Sequence, residues 1–511
     1  MVHSLKVHLA LPLPTSERGY DGRVLYVAIH LLNDDILLDI FNFYRLDEKN
    51  GWNERLGWCK LSHVCQRWRH LIFESTFHLG MHIRCTNGTP IMDTLDHLPP
   101  LPLVVEYKFP ITEQDELGIY HALRLHDHVR HIHLHLPASI LHRCLVLMGE
   151  HFPTLEYLTL WFANDTLATL TLPKTFLAPN LRNLSLPAIR PPNRLRFLTS
   201  TVSLVTLGLW RIQVSSYFRP RLLVARLSSL PQLEELSIGF SIPIPRPSFE
   251  RELLGDQGTP VTLPNLKIFR FRGVSGYLES LVAQIRVPLL KLLGIKLFNQ
   301  IAFALPHLSH FINITEGFKL PVARVSFRRG DVSIFAAHLN SRWSEGSFPF
   351  RLHVKCSQLD WQIDCAAQIC SALIPALSDV EQITLDFYKK TLPTEWRNGG
   401  IDSTTWNELL RLFIGVKELH IDNGLMEELS RALKVGEVGS EPGFLPNLQH
   451  IVAPDNLFSS FINTRRVVGR PVQFSHPPPP PPRRQLPPTA PHPRPRSRPS
   501  SIKAIRENLP R

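Results

Sequence analysis

The chain has 511 residues, 44% of them hydrophobic and 20% charged, too many for one simple core and apolar enough for most of it to fold. The net charge of +12 sits mostly at one end: residues 465–511 hold eleven Lys or Arg against Glu507 alone and carry +10, leaving +2 for residues 1–464. The body is therefore close to neutral, and nucleic acid is not expected as its partner.

Seven cysteines (Cys59, Cys65, Cys85, Cys144, Cys356, Cys365 and Cys370) are odd in number and scattered, which reads as reduced, mostly buried thiols. Only Cys365 and Cys370 are spaced for a pairing, and that would need an oxidising compartment. No run of about 18 uncharged apolar residues appears, so no membrane span is expected. The start, "MVHSLKVHLALPLPTSERGYDG", lacks a signal-peptide core and cleavage site, pointing to a cytoplasmic or nuclear protein.

In chain order, residues 1–30 read as an irregular lead. "LNDDILLDIFNFYRL" (32–46) predicts a helix with Asn33 or Asp34 as its cap. Ile36, Leu37, Leu38, Ile40, Phe41, Phe43, Tyr44 and Leu46 surround most of its circumference, and only Asp35, Asp39 and Asn42 form a polar stripe. One buried face does not need so much apolar surface. After the polar break "DEKNGWNERLG", residues 58–76 predict a second helical run, with Leu61, Val64, Cys65, Trp68, Leu71 and Ile72 at spacings of three and four.

From residue 79 the pattern changes to strands ("LGMHIRC", "LPLVVEYK") around a short helix ("PIMDTLDHL"), and then a motif recurs. Its copies are Val129, Ile132, Leu134; Leu155, Leu158, Leu160; Leu181, Leu184, Leu186; Leu204, Leu207, Leu209; Leu233, Leu236, Ile238; Leu266, Phe269, Phe271; and Leu290, Leu293, Ile295. Weaker copies begin at Val322, Val380, Val416 and Leu448. Spacing and leucine pattern are those of leucine-rich repeats. A strand places residues such as Ile132 and Leu134 inward, and links such as "ASILHRCLVLMGEHF" (138–152) cover the other side as helices. One such unit cannot bury its own apolar face, so stacking results. The repeat is irregular, without consistent Asn ladders, and loosens beyond about residue 300. The end, "HPPPPPPRRQLPPTAPHPRPRSRPSS", predicts extended or disordered chain; "RRQLPP" resembles part of an SH3-type ligand.

The alternate positions of each strand define a candidate substrate surface: Tyr157, Trp161 and Trp210, with a basic set of Arg270, Arg272, Lys296, Arg324 and Arg328. The two tryptophans, two repeats apart, predict an aromatic patch, and the arginines predict capture of an acidic or phosphorylated partner through their planar forks. "HDHVRHIHLHL" (126–136) is rich in His, but His131 and His135 would lie about 13 Å apart on a strand, too far for one metal; no metal or other cofactor is expected. No phosphate-binding glycine loop, G-x-S-x-G elbow or H-E-x-x-H run is present, so no catalytic residue is assigned.

The two N-terminal helices resemble an F-box. The matching residues are Leu32, Asp35, Ile36, Leu37, Ile40 and Phe41, then Leu61, Val64, Cys65, Trp68, Arg69 and Ile72; "LSHVCQRWRHLI" is close to the family's usual V-C-k-x-W segment. The chain beyond residue 78 is similar to fungal (basidiomycete) F-box proteins with degenerate leucine-rich repeats. Asn33 stands where the family often has proline, and a polar insertion at 47–56 separates the helices. With the composition and the leucine spacing, the resemblance gives an α/β chain of four parts: lead (1–30), helical F-box (31–78), irregular leucine-rich-repeat-like αβ solenoid (79–464) and disordered basic Pro-rich tail (465–511). It implies a substrate-recognition subunit of an SCF-type cullin-RING ubiquitin ligase, not itself an enzyme. A Skp-type adaptor, and through it a cullin, would be bound by Leu32, Ile36, Leu37, Ile40, Phe41, Val64, Cys65 and Trp68, and a protein substrate by the repeats. The alternatives are a non-proteolytic scaffold and a nucleic-acid binder acting through the Arg-rich tail.

Overall fold

The computed structural model describes residues 31–46, 59–75, 79–92, 95, 101–162, 170–190, 198–213, 217–242, 259–300, 302–315, 318, 320–338, 348–387, 403–435 and 445–477. The predicted lead, the polar insertion and the stretch from Pro478 onward, including "RRQLPP", lie outside the described residues.

The strands in chain order are β1 (Ile83–Cys85), β2 (Leu103–Lys108), β3 (Val129–Leu136), β4 (Tyr157–Phe162), β5 (Leu170–Thr171), β6 (Asn183–Pro187), β7 (Ile189–Arg190), β8 (Thr206–Ile212), β9 (Glu235–Phe240) and β10 (Val261–Thr262). Then come β11 (Ile268–Gly273), β12 (Ile285–Arg286), β13 (Leu292–Leu297), β14 (Val322–Arg328), β15 (Asp331–Ala337), β16 (Phe350–Lys355), β17 (Gln382–Phe387), β18 (Glu418–Ile421), β19 (His450–Val452) and β20 (Gln473–Ser475). Sixteen of them form one sheet, in the order β1-β2-β3-β4-β6-β8-β9-β11-β13-β16-β15-β14-β17-β18-β19-β20. All pairings in it are parallel except the two made by β15. The short strands β5 with β7, and β10 with β12, form two further parallel pairs.

The central residues of the seven clear sequence motifs lie in one register: Ile132, Leu158, Leu184, Leu207, Leu236, Phe269 and Leu293 pair strand to strand. All seven are buried. Helices Ala138–Leu147, Ser275–Val282 and Leu359–Ala372 pack against β3, β11 and the β14–β15 pair. The result is a mixed α/β fold with a large parallel sheet, laid out as a leucine-rich-repeat-like αβ solenoid. An aromatic group fills its middle: Tyr217 stacks on Phe240 at 4.0 Å and Tyr277 meets Phe240 edge-on at 4.7 Å. The buried Tyr277 hydroxyl donates to the Phe218 carbonyl at 3.1 Å.

Adjacent repeats are also joined by polar side chains at one recurring place. In "FPTL", "APNL", "LPNL" and "LPNL", the residue between proline and leucine bonds the backbone of the preceding turn. Thr154 donates to Asp127 O at 2.9 Å, Asn180 to Pro153 O at 2.7 Å, Asn265 to Pro231 O at 2.9 Å and Asn447 to Ile414 O at 2.9 Å. These bonds recur only intermittently, in keeping with a sequence that has no consistent Asn ladder. Glu279 does related work at the start of helix Pro306–Asn313, which has no side-chain cap of its own. Its carboxylate accepts the His307 and Leu308 N–H groups at 2.8 and 2.9 Å.

Beyond β13 the order departs from the repeat. The weak motif at Val322, Val325 and Phe327 forms β14, but β14 is not beside β13. β16 takes that place, and β15 joins β16 to β14 antiparallel. A meander of three strands reverses direction twice, so the sheet resumes parallel at β17. Structure also continues past residue 465, where the tail was predicted to begin. Arg465 is buried in helix Ser459–Val467, and β20 pairs with β19.

At the N-terminus, α1 (Asp34–Leu46), α2 (Cys59–Ser62) and α3 (Gln66–Glu74) form the expected helical pair and a short lead-in. Asn33 caps α1 by accepting the Ile36 N–H at 2.9 Å. Leu37, Phe41, Trp68 and Ile72 are buried in the same apolar cluster that includes Leu79, Met81 and Ile83 of the repeat body. Among the described residues, no helix is long and apolar enough to cross a membrane.

Asn265→Asp keeps the shape of the side chain but removes its N–H donor. Chemical denaturation should show a loss of about 1 kcal/mol, the usual net worth of one such bond. Val202, exposed on the same array, serves as a control site where Val202→Ala should change stability little.

Candidate functional site

Two surfaces carry the candidate residues. The first is the outside of the N-terminal helices. The Arg67 guanidinium reaches from α3 to the start of α1, donating to Asp34 Oδ1 and to the Leu32 carbonyl, both at 2.6 Å. This link sets the two helices against each other, with Phe41 and Trp68 in edge-to-face contact at 4.8 Å beneath it. Of the predicted adaptor residues, Leu37, Phe41 and Trp68 are buried and build the unit from inside rather than presenting themselves outward. Leu32 and Ile40 are half-buried. Ile36 is 45% exposed and Val64 57% exposed. Cys65 is exposed too, and its sulfur caps α3 by accepting the Trp68 N–H at 3.4 Å. Leu31 and Phe43 are exposed apolar residues that were not among the candidates; the crowded circumference of α1 already signalled Phe43.

The second surface is the sheet face opposite the buried leucines, where the alternate residue of each strand points. Its three parts differ in chemistry. Over β3 and β4 it is aromatic and rich in histidine. His131 meets Tyr157 edge-on at 4.2 Å and His135 meets Trp161 at 6.5 Å; Tyr157 and Trp161 are both exposed. Burial, and then the charge of Arg130, pushes the His131 imidazole down to about 4, and burial also lowers His133. Both are therefore neutral near pH 7. At the neighbouring edge, burial opposes ionisation of Glu106, but Arg84 at 2.8 Å and Lys108 at 3.4 Å hold its carboxyl below the usual range.

The middle part is shallow, with Thr159, Ser185, Gly208 and Ser237 in one cross-strand row. Trp210 lies over it. A Cβ added at Gly239 would sit 2.5 Å from the Trp210 ring, and one at Gly208 would sit 3.3 Å from its Nε1. The two glycines make the floor on which the indole rests. Trp210 therefore leans toward β9, away from Trp161, and the predicted joint patch is divided.

The last part is basic, and two of its arginines are paired. Arg270 bonds Glu235 on the adjacent strand, and Arg324 bonds Asp386. The Arg272 guanidinium lies 5.7 Å from the Phe298 ring centre. Lys296 is exposed, and Arg328 half-buried. The predicted free cationic field is thus partly neutralised, because register brings acidic side chains from neighbouring strands beside the arginines. Sequence reasoning missed Arg351, His353, Ser333 and Phe335 on this face, all from β15 and β16. The alternation in "FRLHVK" (350–355) was the available signal. Ser333 Oγ lies 2.7 Å from His353 Nδ1, but Asp331 contacts the serine instead of the imidazole. Ser333 has no exposed surface, and this is not the order that activates a serine nucleophile. Cys365 and Cys370 both lie on helix Leu359–Ala372, five positions apart, which turns them about 140° from each other; both are free thiols. Among the described residues, no three His, Cys, Asp or Glu side chains are placed to hold a metal.

Burial, with smaller contributions from nearby charges, lowers His353 to about 4 as well. For both His131 and His353 the fold favours the neutral ring, while the unfolded chain takes up a proton near pH 6.5. Their contribution is complete above that pH and is lost as pH falls toward about 4. The thermal midpoint of the native chain should therefore drop more steeply between pH 6.5 and 5 than that of the His131→Gln, His353→Gln double variant; equal slopes would refute this. Gly239→Ala should displace Trp210 and destabilise by about 1–3 kcal/mol, visible in denaturation and in tryptophan emission.

No family model and no curated protein matches the sequence. Among solved structures, the chain is similar to the leucine-rich repeat-containing protein LegL7 from Legionella pneumophila, at 12% identity, over 76% of this chain and 98% of that one, with a TM-score of 0.25. That score is too low to equate the two folds, and the architecture of this chain rests on strand order and register alone.

Proposed function

We propose that this chain is a substrate-recognition subunit of an SCF-type cullin-RING ubiquitin ligase, working in the cytoplasm or nucleus. The coarser part of the reading, a repeat protein built for interaction, is supported by its long sheet face of exposed aromatic, polar and charged side chains. The finer part is supported by the exposed apolar positions Ile36, on α1, and Val64, in the turn before α3. They present a ledge to the groove of a Skp-type adaptor, with Leu32, Ile40 and Cys65 at its border. Leu37, Phe41 and Trp68 hold the ledge in shape from beneath. Ile36 and Ile40, four positions apart on α1, have the spacing that helix-in-groove recognition uses.

On this reading the chain performs no chemistry of its own. It holds a protein substrate on the sheet face while other subunits transfer ubiquitin, and tethering raises the effective concentration of substrate at the transferring enzyme. Tyr157 and Trp161 are the anchors of that face, since large aromatic rings supply much of the energy at interface centres.

Co-purification with a recombinant Skp-type adaptor tests the proposal. Ile36→Asp with Val64→Asp should weaken binding at least tenfold while leaving the thermal midpoint nearly unchanged, because both side chains are exposed. Trp68→Ala should lower the midpoint as well. An unaltered native chain that fails to retain the adaptor would end the ligase reading.

A further inference from the structure

A cleft lies on the helix side of the sheet, away from both candidate surfaces. It measures about 380 Å³ and is lined by Asn299, Gln300, Trp361, Asp364 and Cys365, a size within the range of small-ligand sites. One wall is the loop after β13; the other is helix Leu359–Ala372. Trp361 and Asp364 are three positions apart on this helix and so share a face.

The indole of Trp361 is 52% exposed, although every buried residue on the same helix packs into the core. Beside it, the exposed Asp364 receives one hydrogen bond on Oδ2, from Gln368 at 3.0 Å, and a carboxylate has room for several more. Gln300 is held in place: its Oε1 accepts the Ser275 N–H at 2.9 Å and its amide donates to Ser275 Oγ at 3.2 Å. Asn299 adds a further amide at the rim. Asp360, in the first turn of the same helix, is a second carboxylate nearby, with Oδ1 buried and unbonded. Among the described residues, no lysine or arginine lines the cleft.

We propose that this cleft binds a guanidinium group. A planar cation stacks on an indole face and is attracted by the ring's electron density. The same flat fork donates two parallel hydrogen bonds to a carboxylate. Trp361 supplies the platform, Asp364 the charge, and the Asn299 and Gln300 carbonyl groups the remaining acceptors. An anion meets the Asp364 charge and no cation among the lining residues, and a neutral aromatic leaves Asp364 unanswered. The chemistry has two sources: a free guanidinium compound, or an arginine side chain on a peptide. This chain itself carries such a peptide in "APHPRPRSRP", residues 490–499.

Calorimetry on the full chain tests the assignment with three probes: N-acetylarginine amide, its uncharged analogue N-acetylcitrulline amide, and a synthetic peptide of residues 490–499. The arginine probe should bind saturably and weakly, and the citrulline probe at least tenfold more weakly. Trp361→Ala and Asp364→Asn should each reduce arginine binding at least fivefold without moving the thermal midpoint, and Trp361→Phe should restore part of it. Tighter binding of the peptide than of the single residue would assign the guanidinium to a polypeptide source; equal binding would assign it to a free compound. Equal binding of arginine and citrulline probes, no saturable binding, or binding unchanged by Trp361→Ala would overturn the proposal. Ile36→Asp with Val64→Asp should leave it intact, so this result is separate from that of the adaptor experiment.

Discussion

Register between neighbouring parallel strands is the constraint on which the rest of this molecule depends. Each unit is a strand with one apolar face, and no unit can bury that face alone. Pairing Ile132 with Leu158, and so on to Leu293, does two things together. It joins the leucines into a continuous core, and it fixes which side chains meet on the opposite face. A slip of one residue would turn every leucine to solvent. The interstrand bonds from Thr154, Asn180, Asn265 and Asn447 act on the same degree of freedom, since each fastens one turn to the one before it.

The three-strand meander is consistent with this constraint. An odd number of strands leaves the chain running in its original direction, so β17 can join β14 in parallel without disturbing what came before. The insertion changes the surface more than the core. It brings Phe335 and Phe348 together on the far face, at 5.0 Å, in a small apolar cluster separate from the main one. The sheet ends in strands of only three residues, β1 and β20. Short edges limit pairing with other chains, and at the first edge the helical unit continues the main apolar cluster through Leu37, Phe41 and Ile72.

How far the fold could be read from sequence depends on which signals are local. The leucine motif is local and its register is uniform, so the inward-facing residues of seven strands were legible. The order β13-β16-β15-β14 was not, because partner choice after a long connection leaves no periodic trace. At the candidate sites, strand alternation placed Tyr157, Trp161 and the arginines on one face correctly. It could not reveal that Glu235 and Asp386 would neutralise Arg270 and Arg324, since those pairs join residues 35 and 62 positions apart. In α1, amphipathicity identified too much apolar surface without dividing it. Phe41 and Ile36 look alike in sequence; only the packing of Trp68 against Phe41 makes one internal and leaves the other outside.

The pairing on the basic third of the sheet face bears on how a substrate would be held there under the proposed function. A carboxylate or phosphate approaching Arg324 must compete with Asp386, which is itself mostly buried. Exchanging one ion pair for another gains little, while exposing Asp386 unpaired costs more than the new contact returns. Arg270 with Glu235 presents the same difficulty in a more solvated setting, where such pairs contribute little to begin with. Affinity therefore has to come from the other end of the face. There, Tyr157 and Trp161 are already exposed and the neighbouring His131 and His133 are neutral, so an apolar partner displaces only water. The arginines remain useful for orientation: they admit a partner whose acidic groups fit between existing pairs and reject one that would break them. On the proposed function, binding energy and selectivity would fall to different thirds of one surface, separated by the Trp210 indole on its two glycines.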